Sequence, residues 1–301
     1  MTISAAALTP QRGSQVIGVD AAQPIDDSTA QQLRDLLALR KILLFRQGPL
    51  SIEQQLNIMS VFGPVIVESP TGAPWSLVTN TDPNGYVPSV DKLLFHADYQ
   101  FTPYGPLRAI SLFALEMEQA EPTVFCDMVT AAAHLPVALR SRMEKLNVVQ
   151  LLAYSRNFSE SRRSRMSHRT PDEPVAQYPH CTQPMIESHP VTGKPYVNVS
   201  QMMTSHVEDW SDADSDVLFA EMEASVYTPE NLHKHMWAKD DLLVWDNVAL
   251  QHGREALLQP GRRTLRRVAV NPIDVPTMMR DVRPDPIKFG QLQWHEDTQT
   301  A

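Results

Sequence analysis

The sequence predicts a mainly β protein, an antiparallel β core with helices packed outside it. Three observations lead there. The apolar runs that surround the chemistry-bearing residues are short, as strands are. No βαβ alternation and no internal repeat is visible along the chain. Proline is frequent at 24 and glycine modest at 11 in 301 residues, which suits many loops rather than a helical array.

The elements follow in order. "SQVIGVD" (14–20) alternates and is β-branched, so it reads as a strand. "DDSTAQQLRDLLALRK" (26–41) opens on capping residues and spaces Leu33, Leu36, Leu37 and Leu39 as a helix does. "ILLFRQ" (42–47) is a short buried strand, and "SIEQQLNIMSVFG" (51–63) a helix capped by Ser51 and closed by Gly63. "RAISLFALEME" (108–118), "TVFCDM" (123–128) and "VVQLLAYS" (148–155) read as strands, with a helical stretch interrupted by Pro136 over 129–146. Residues 155–184 form one long polar stretch, the kind of loop that is functional or disordered. "MIESHPVTGKPYVNV" (185–199) reads as a hairpin and 212–227 as a helix. Residues 233–253 read as strand, turn, strand, and "RRTLRRVAVN" (262–271) as a final strand. The chain is expected to be a single catalytic domain over 1–301. A lid and helices would be inserted at about 129–235, and a peripheral tail would run from about 275.

The formal net charge of -9 argues against a nucleic-acid partner. The first residues show no basic segment followed by an apolar one, and no window is long enough to span a membrane, so a cytoplasmic protein is expected. Two cysteines, Cys126 and Cys181, are too few for a disulfide framework and lack metal-type spacing.

The chemistry begins at "LLFHADYQF" (93–101). On a strand, residues two apart share a face, so His96 and Asp98 would aim together. His252 follows the apolar "LLVWDNVAL" and can add a second nitrogen. Two histidines and one carboxylate on one face of a metal leave positions open for a cosubstrate and O2 at non-heme Fe(II). The same donor types suit zinc and a non-redox hydrolase. Thr123 follows Asp98 after 24 residues, and Arg263 follows His252 after 10.

With those spacings the sequence resembles the taurine/2,4-D dioxygenase (TauD/TfdA) family of Fe(II)- and 2-oxoglutarate-dependent oxygenases. "GVDAAQPIDD", "ILLFRQGPLSIEQQ", "VFGPV", "HPVTGKPYVNV" and "LLVWDN" add to the likeness, which runs from about 14 to 272. The resemblance implies a double-stranded β-helix, a jelly-roll (cupin-like) core with ligands at one open end. It implies Fe(II) on His96, Asp98 and His252, and 2-oxoglutarate as cosubstrate with its distal carboxylate on Thr123 and Arg263. O2 and a small organic molecule would be the other substrates, with succinate and CO2 released. The chain would be a homo-oligomer, dimer or tetramer, as family members often are. Arg266 also falls within the family's gap. However, Arg263 and Arg267 share one strand face and Arg262 and Arg266 the other. Arg267 would then lie near the metal end of 2-oxoglutarate or an anionic substrate. Asp98 is present, which argues against halogenation.

Lys92, Tyr99, Phe158 and Arg267 are the candidate substrate contacts. Lys92 stands where the taurine enzymes have asparagine, a departure that argues against taurine. "HGR" at 252–254 departs from the "HRA" of phenoxyalkanoate-type members. The arginines of 155–184 belong either to a solvated, partly disordered loop or to a basic lid that attracts an anionic substrate. His233 and His235 are expected to be structural, and Trp245 to lie in the core.

Overall fold

The structure, a computed structural model, describes residues 3–69, 71–81, 92–119, 122–152, 179–256 and 261–282. In chain order its elements are β1 (Ser4–Ala7), β2 (Ser14–Ile17), α1 (Asp27–Arg40), β3 (Ile42–Phe45), α2 (Ile52–Ser60), β4 (Ser76–Thr79), β5 (Leu93–His96), β6 (Ala109–Met117) and β7 (Pro122–Asp127). Then come α3 (Met128–His134), α4 (Val137–Met143), β8 (Asn147–Leu151), β9 (His180–Pro184), β10 (Ile186–Ser188), β11 (Pro195–Val197), β12 (Thr204–Val207) and α5 (Asp212–Val226). The chain closes with β13 (Leu232–Met236), β14 (Leu242–Asp246), β15 (Leu250–Arg254), β16 (Arg263–Val270) and α6 (Val275–Arg280).

A seven-stranded sheet runs β1-β2-β3-β14-β6-β16-β4, and a four-stranded sheet β13-β7-β15-β5. All their pairings are antiparallel except β2 with β3. The large sheet is apolar on both faces because both are covered. Ile42, Leu44, Ile110, Leu112, Leu243, Trp245 and Leu265 project into one cluster, which holds Phe95 and Phe125 of the small sheet. Leu43, Phe45, Phe113, Val244 and Val268, each one residue out of step, meet Leu33 and Leu37 of α1 and Ile58 and Met59 of α2. This two-sheet sandwich with helices braced outside is the mainly β, jelly-roll core expected.

The caps form as the sequence suggests. Asp26 accepts from Thr29 N–H at the start of α1. Ser51 and Gln54 make a reciprocal capping box on α2. Between β7 and β13 the chain builds α3 to α5 and two small sheets, β12-β8-β9 and β10-β11. Residues 233–253 differ from the expectation by one element. A turn at Asp246–Ala249 splits the apolar run, and His252 lies on β15, a strand of its own. At the start of the expected tail, α6 buries Met278 and Met279, and Val282 beyond it is buried as well. No helix among the described residues is long and apolar enough to cross a membrane.

Candidate metal centre

Register brings the ligands together. His252 on β15 lies directly opposite His96 on β5, and opposite Phe125 on β7. The two imidazole centroids are 4.3 Å apart. Thr123 lies two residues before Phe125, so it projects from the same face, diagonal to His252. β15 approaches β5 closely beside the ligand: a Cβ on Gly253 would lie 2.8 Å from the Leu93 carbonyl oxygen. "HGR" therefore has a backbone reason for its glycine.

Asp98 does not reach the site as a strand neighbour of His96. β5 ends at His96, and Asp98 lies in the turn that follows, with Tyr99 at φ 65. Gln100 N–H bonds to Ala97 O, Thr102 N–H to Tyr99 O and Leu107 N–H to Asp98 O. Alternating strand geometry was thus the wrong reason for a correct juxtaposition. The turn re-aims the carboxylate, and the left-handed Tyr99 is the strained conformation that lets it.

One donor atom from each of His96, Asp98 and His252 lies within 4.8 Å of the others. His96 Nε2 is 3.4 Å from Asp98 Oδ1, and His252 Nε2 is 3.9 Å from Asp98 Oδ2. Metal bonds of about 2.1 Å at right angles put donors about 3 Å apart, so this set fits one ion with small adjustments. His96 Nδ1 lies 2.9 Å from Leu94 O, which fixes the proton on Nδ1 and leaves the Nε2 lone pair for metal. His252 is oriented by packing against Trp245, at 5.1 Å, and Phe125, at 6.3 Å. Burial, then the neighbouring His96, push its pKa down to about 3 against the pull of Asp98, so it is neutral near pH 7. Burial opposes ionisation of Asp98. The Arg267 guanidinium, followed by His96 and His252, outweighs it and holds the carboxyl well below the usual range.

On β16 the arginines divide by face. Arg263 and Arg267 fall on the side of Leu265, toward the sandwich interior. Arg266 points the other way, donating to Gln55 Oε1 at 2.7 Å and to the carbonyls of Leu50 and Ser51. Arg263 is buried. Arg267 Nη1 donates to Asp98 Oδ2 at 2.7 Å, while Nε and Nη2 form a fork on Glu68, both at 3.0 Å. Thr123 Oγ accepts from Trp237 Nε1 at 2.9 Å, which leaves its own O–H to donate. Both donors suit a dicarboxylate cosubstrate next to the metal, and the residues present fit Fe(II) and 2-oxoglutarate.

The candidate substrate contacts are dispersed. Tyr99 is half-buried and stacks on Phe101 at 6.0 Å. Lys92 is exposed, and its charge acts on Glu223 of α5. Phe158 and most of the expected lid lie outside the described residues. His235 is buried, its Nε2 3.2 Å from Asp241, and His233 lies 6.5 Å from the Phe125 ring. Three contributors escaped sequence reasoning. Asn247 and Trp237 are polar contacts made across the fold, and Glu68 lies in a loop with no motif. Only Asn247 carried a signal, as the last residue of "LLVWDN".

Comparison with known proteins agrees with this geometry. The chain is 25% identical over 291 residues to an alpha-ketoglutarate-dependent 2,4-dichlorophenoxyacetate dioxygenase of Cupriavidus pinatubonensis, covering 89% of this chain and 97% of that one. It is 26% identical over 275 residues to an alkylsulfatase of Acinetobacter baylyi, covering 87% and 83%. The crystal structure of AAD-2 in complex with Mn(II) and N-oxalylglycine shares the fold at a TM-score of 0.71 and 22% identity, covering 90% and 97%. The profile of the taurine catabolism dioxygenase TauD, TfdA family matches residues 4–269, and with its His/Asp/His triad assembled the chain belongs to that family of Fe(II)- and 2-oxoglutarate-dependent dioxygenases.

Proposed function

We propose that this dioxygenase oxidises a C–H bond of a small organic substrate at a centre held by His96, Asp98 and His252, with 2-oxoglutarate on Thr123 and Arg263. In the overall reaction O2 and 2-oxoglutarate are consumed. One oxygen atom enters succinate as CO2 leaves, and the other enters the substrate when the outcome is hydroxylation. The chemistry that Fe(II) supplies when bound is the coupling of that decarboxylation to substrate oxidation.

The chain's own residues do the rest. His96 presents Nε2 because Leu94 O holds the other ring nitrogen. Asp98 stays ionised because Arg267 lies against Oδ2, leaving Oδ1 toward His96. Thr123 donates its hydroxyl hydrogen to a carboxylate oxygen because Trp237 occupies the acceptor side. Arg263 offers a buried guanidinium that matches a carboxylate as a fork. Trp245 and Phe125 are fully buried against His252 and keep water from that side.

The observation that carries this reading is the convergence of three donor atoms within 4.8 Å of one another. The test is anaerobic. Fe(II) and 2-oxoglutarate are added to metal-free protein, and the weak visible charge-transfer band of the chelate is recorded. The band is expected in the wild type, absent in His252→Ala and weakened in Arg263→Ala. No band, with zinc retained instead, would move a hydrolase to first place.

A further inference from the structure

We infer that Glu68 is a specificity-determining residue: it occupies the anion-binding fork of Arg267, so the substrate group that lies against Arg267 carries no negative charge. The inference rests on the function proposed above and deepens it by naming a substrate class.

The Arg267 guanidinium donates directly to Asp98, one of the three metal ligands. Such a group beside a substrate-binding centre is suited to a carboxylate, sulfonate or sulfate, which it grips through two parallel N–H bonds. Here that geometry is already filled. Nε and Nη2 meet Glu68 Oε2 and Oε1, both at 3.0 Å, and Nη1 meets Asp98 at 2.7 Å. The three groups are enclosed, with side-chain exposures of 13% for Arg267, 10% for Glu68 and 20% for Asp98.

Two carboxylates therefore share one cation. An incoming anion would have to displace Glu68, leaving a carboxylate largely desolvated without its partner, a strongly unfavourable exchange. A neutral group meets no such obstacle. The sequence alone places Arg267 near either the metal end of 2-oxoglutarate or an anionic substrate. Nothing local in the sequence reveals the fork, because Glu68 and Arg267 are 199 positions apart.

The test compares the wild type with Glu68→Gln and Glu68→Ala as anaerobic Fe(II)–2-oxoglutarate complexes. The probes are phenoxyacetate and its neutral analogue phenoxyacetamide, and the readout is perturbation of the chelate band. Phenoxyacetate is expected to leave the wild-type band unmoved. It is expected to shift the band of the variants with affinity about tenfold tighter or more, the size of one charge-assisted hydrogen bond. The inference is overturned if phenoxyacetate shifts the wild type as readily as the variants, or if it shifts neither. Should both variants fail to fold, the wild type still decides: a shift by phenoxyacetamide with none by phenoxyacetate supports the inference, and any other response overturns it. A wild type with no chelate band at all overturns the underlying function instead, and is recognised before either probe is added.

Discussion

The side-chain amide of Asn247 holds the backbone of Asp98 from both sides. Its Oδ1 accepts from Asp98 N–H at 3.3 Å, and its Nδ2 donates to Asp98 O at 3.2 Å and to Leu107 O at 3.1 Å. Asn247 is fully buried in the turn between β14 and β15, so the strand pair that carries His252 also sets the position of the carboxylate ligand. Asn247→Ala is expected to weaken Fe(II) binding by about 10-fold or more, the usual cost of removing an outer support of a ligand. Anaerobic calorimetry with Fe(II) measures this. Unchanged affinity would mean that the turn holds Asp98 unaided.

Arg266 and Arg267 are adjacent in sequence and opposite in role. Arg266 anchors the start of α2 through Gln55, Leu50 and Ser51, with its guanidinium carbon 5.0 Å from the Phe113 ring centroid. Arg266→Met should cost about 2–4 kcal/mol of stability, because several charge-assisted bonds go and buried acceptors lose their donor. It should leave the Fe(II)–2-oxoglutarate band in place. Urea unfolding and the anaerobic spectrum measure the two separately. Loss of the band in a folded Arg266→Met protein would contradict the division by strand face.

That division was legible because a strand's alternation is a local rule, and the β16 arginines obey it. The capped helices were legible for the same reason: Asp26 and Ser51 act within three residues of themselves. What could not be read depends on contacts across the fold. The turn that re-aims Asp98 is stabilised by Asn247, 149 positions away. The split of the 233–253 stretch into three strands follows from Asp246 capping its own turn, where it also holds His189 at 3.0 Å. Both elements bear on the site, so the sequence located the ligands without supplying the backbone that presents them.

Asp241 ties β3 to the connection between β13 and β14. Arg46 donates to it through two nitrogens at 2.7 and 3.1 Å, and Ala238 N–H donates at 3.1 Å. Burial opposes its ionisation, but the bonds from His235, Arg46 and Ala238 outweigh that and bring its pKa down to about 2 from the ordinary 3.8. A depressed carboxyl contributes stability that is complete above the unfolded value. The contribution is lost as pH falls through 3.8 toward 2. Acid titration of the wild type should show this loss, and Asp241→Asn should flatten the curve in that window while lowering stability near neutrality. An identical acid limb in both proteins would remove Asp241 from the account.

Trp237 makes the last prediction, because its indole N–H and the Thr123 hydroxyl form a directed pair at 2.9 Å. Trp237→Phe keeps an apolar ring and removes the N–H, so the Thr123 hydrogen is no longer aimed. The dissociation constant for 2-oxoglutarate should rise about 3- to 10-fold, the worth of roughly one neutral hydrogen bond, with Fe(II) affinity unchanged. A cavity effect alone could also loosen the site, so the decisive measurement is a double-mutant cycle. In a Thr123→Val background the indole has no hydroxyl to orient. Trp237→Phe should then change 2-oxoglutarate binding little further, whereas a purely steric role would give the same loss in both backgrounds.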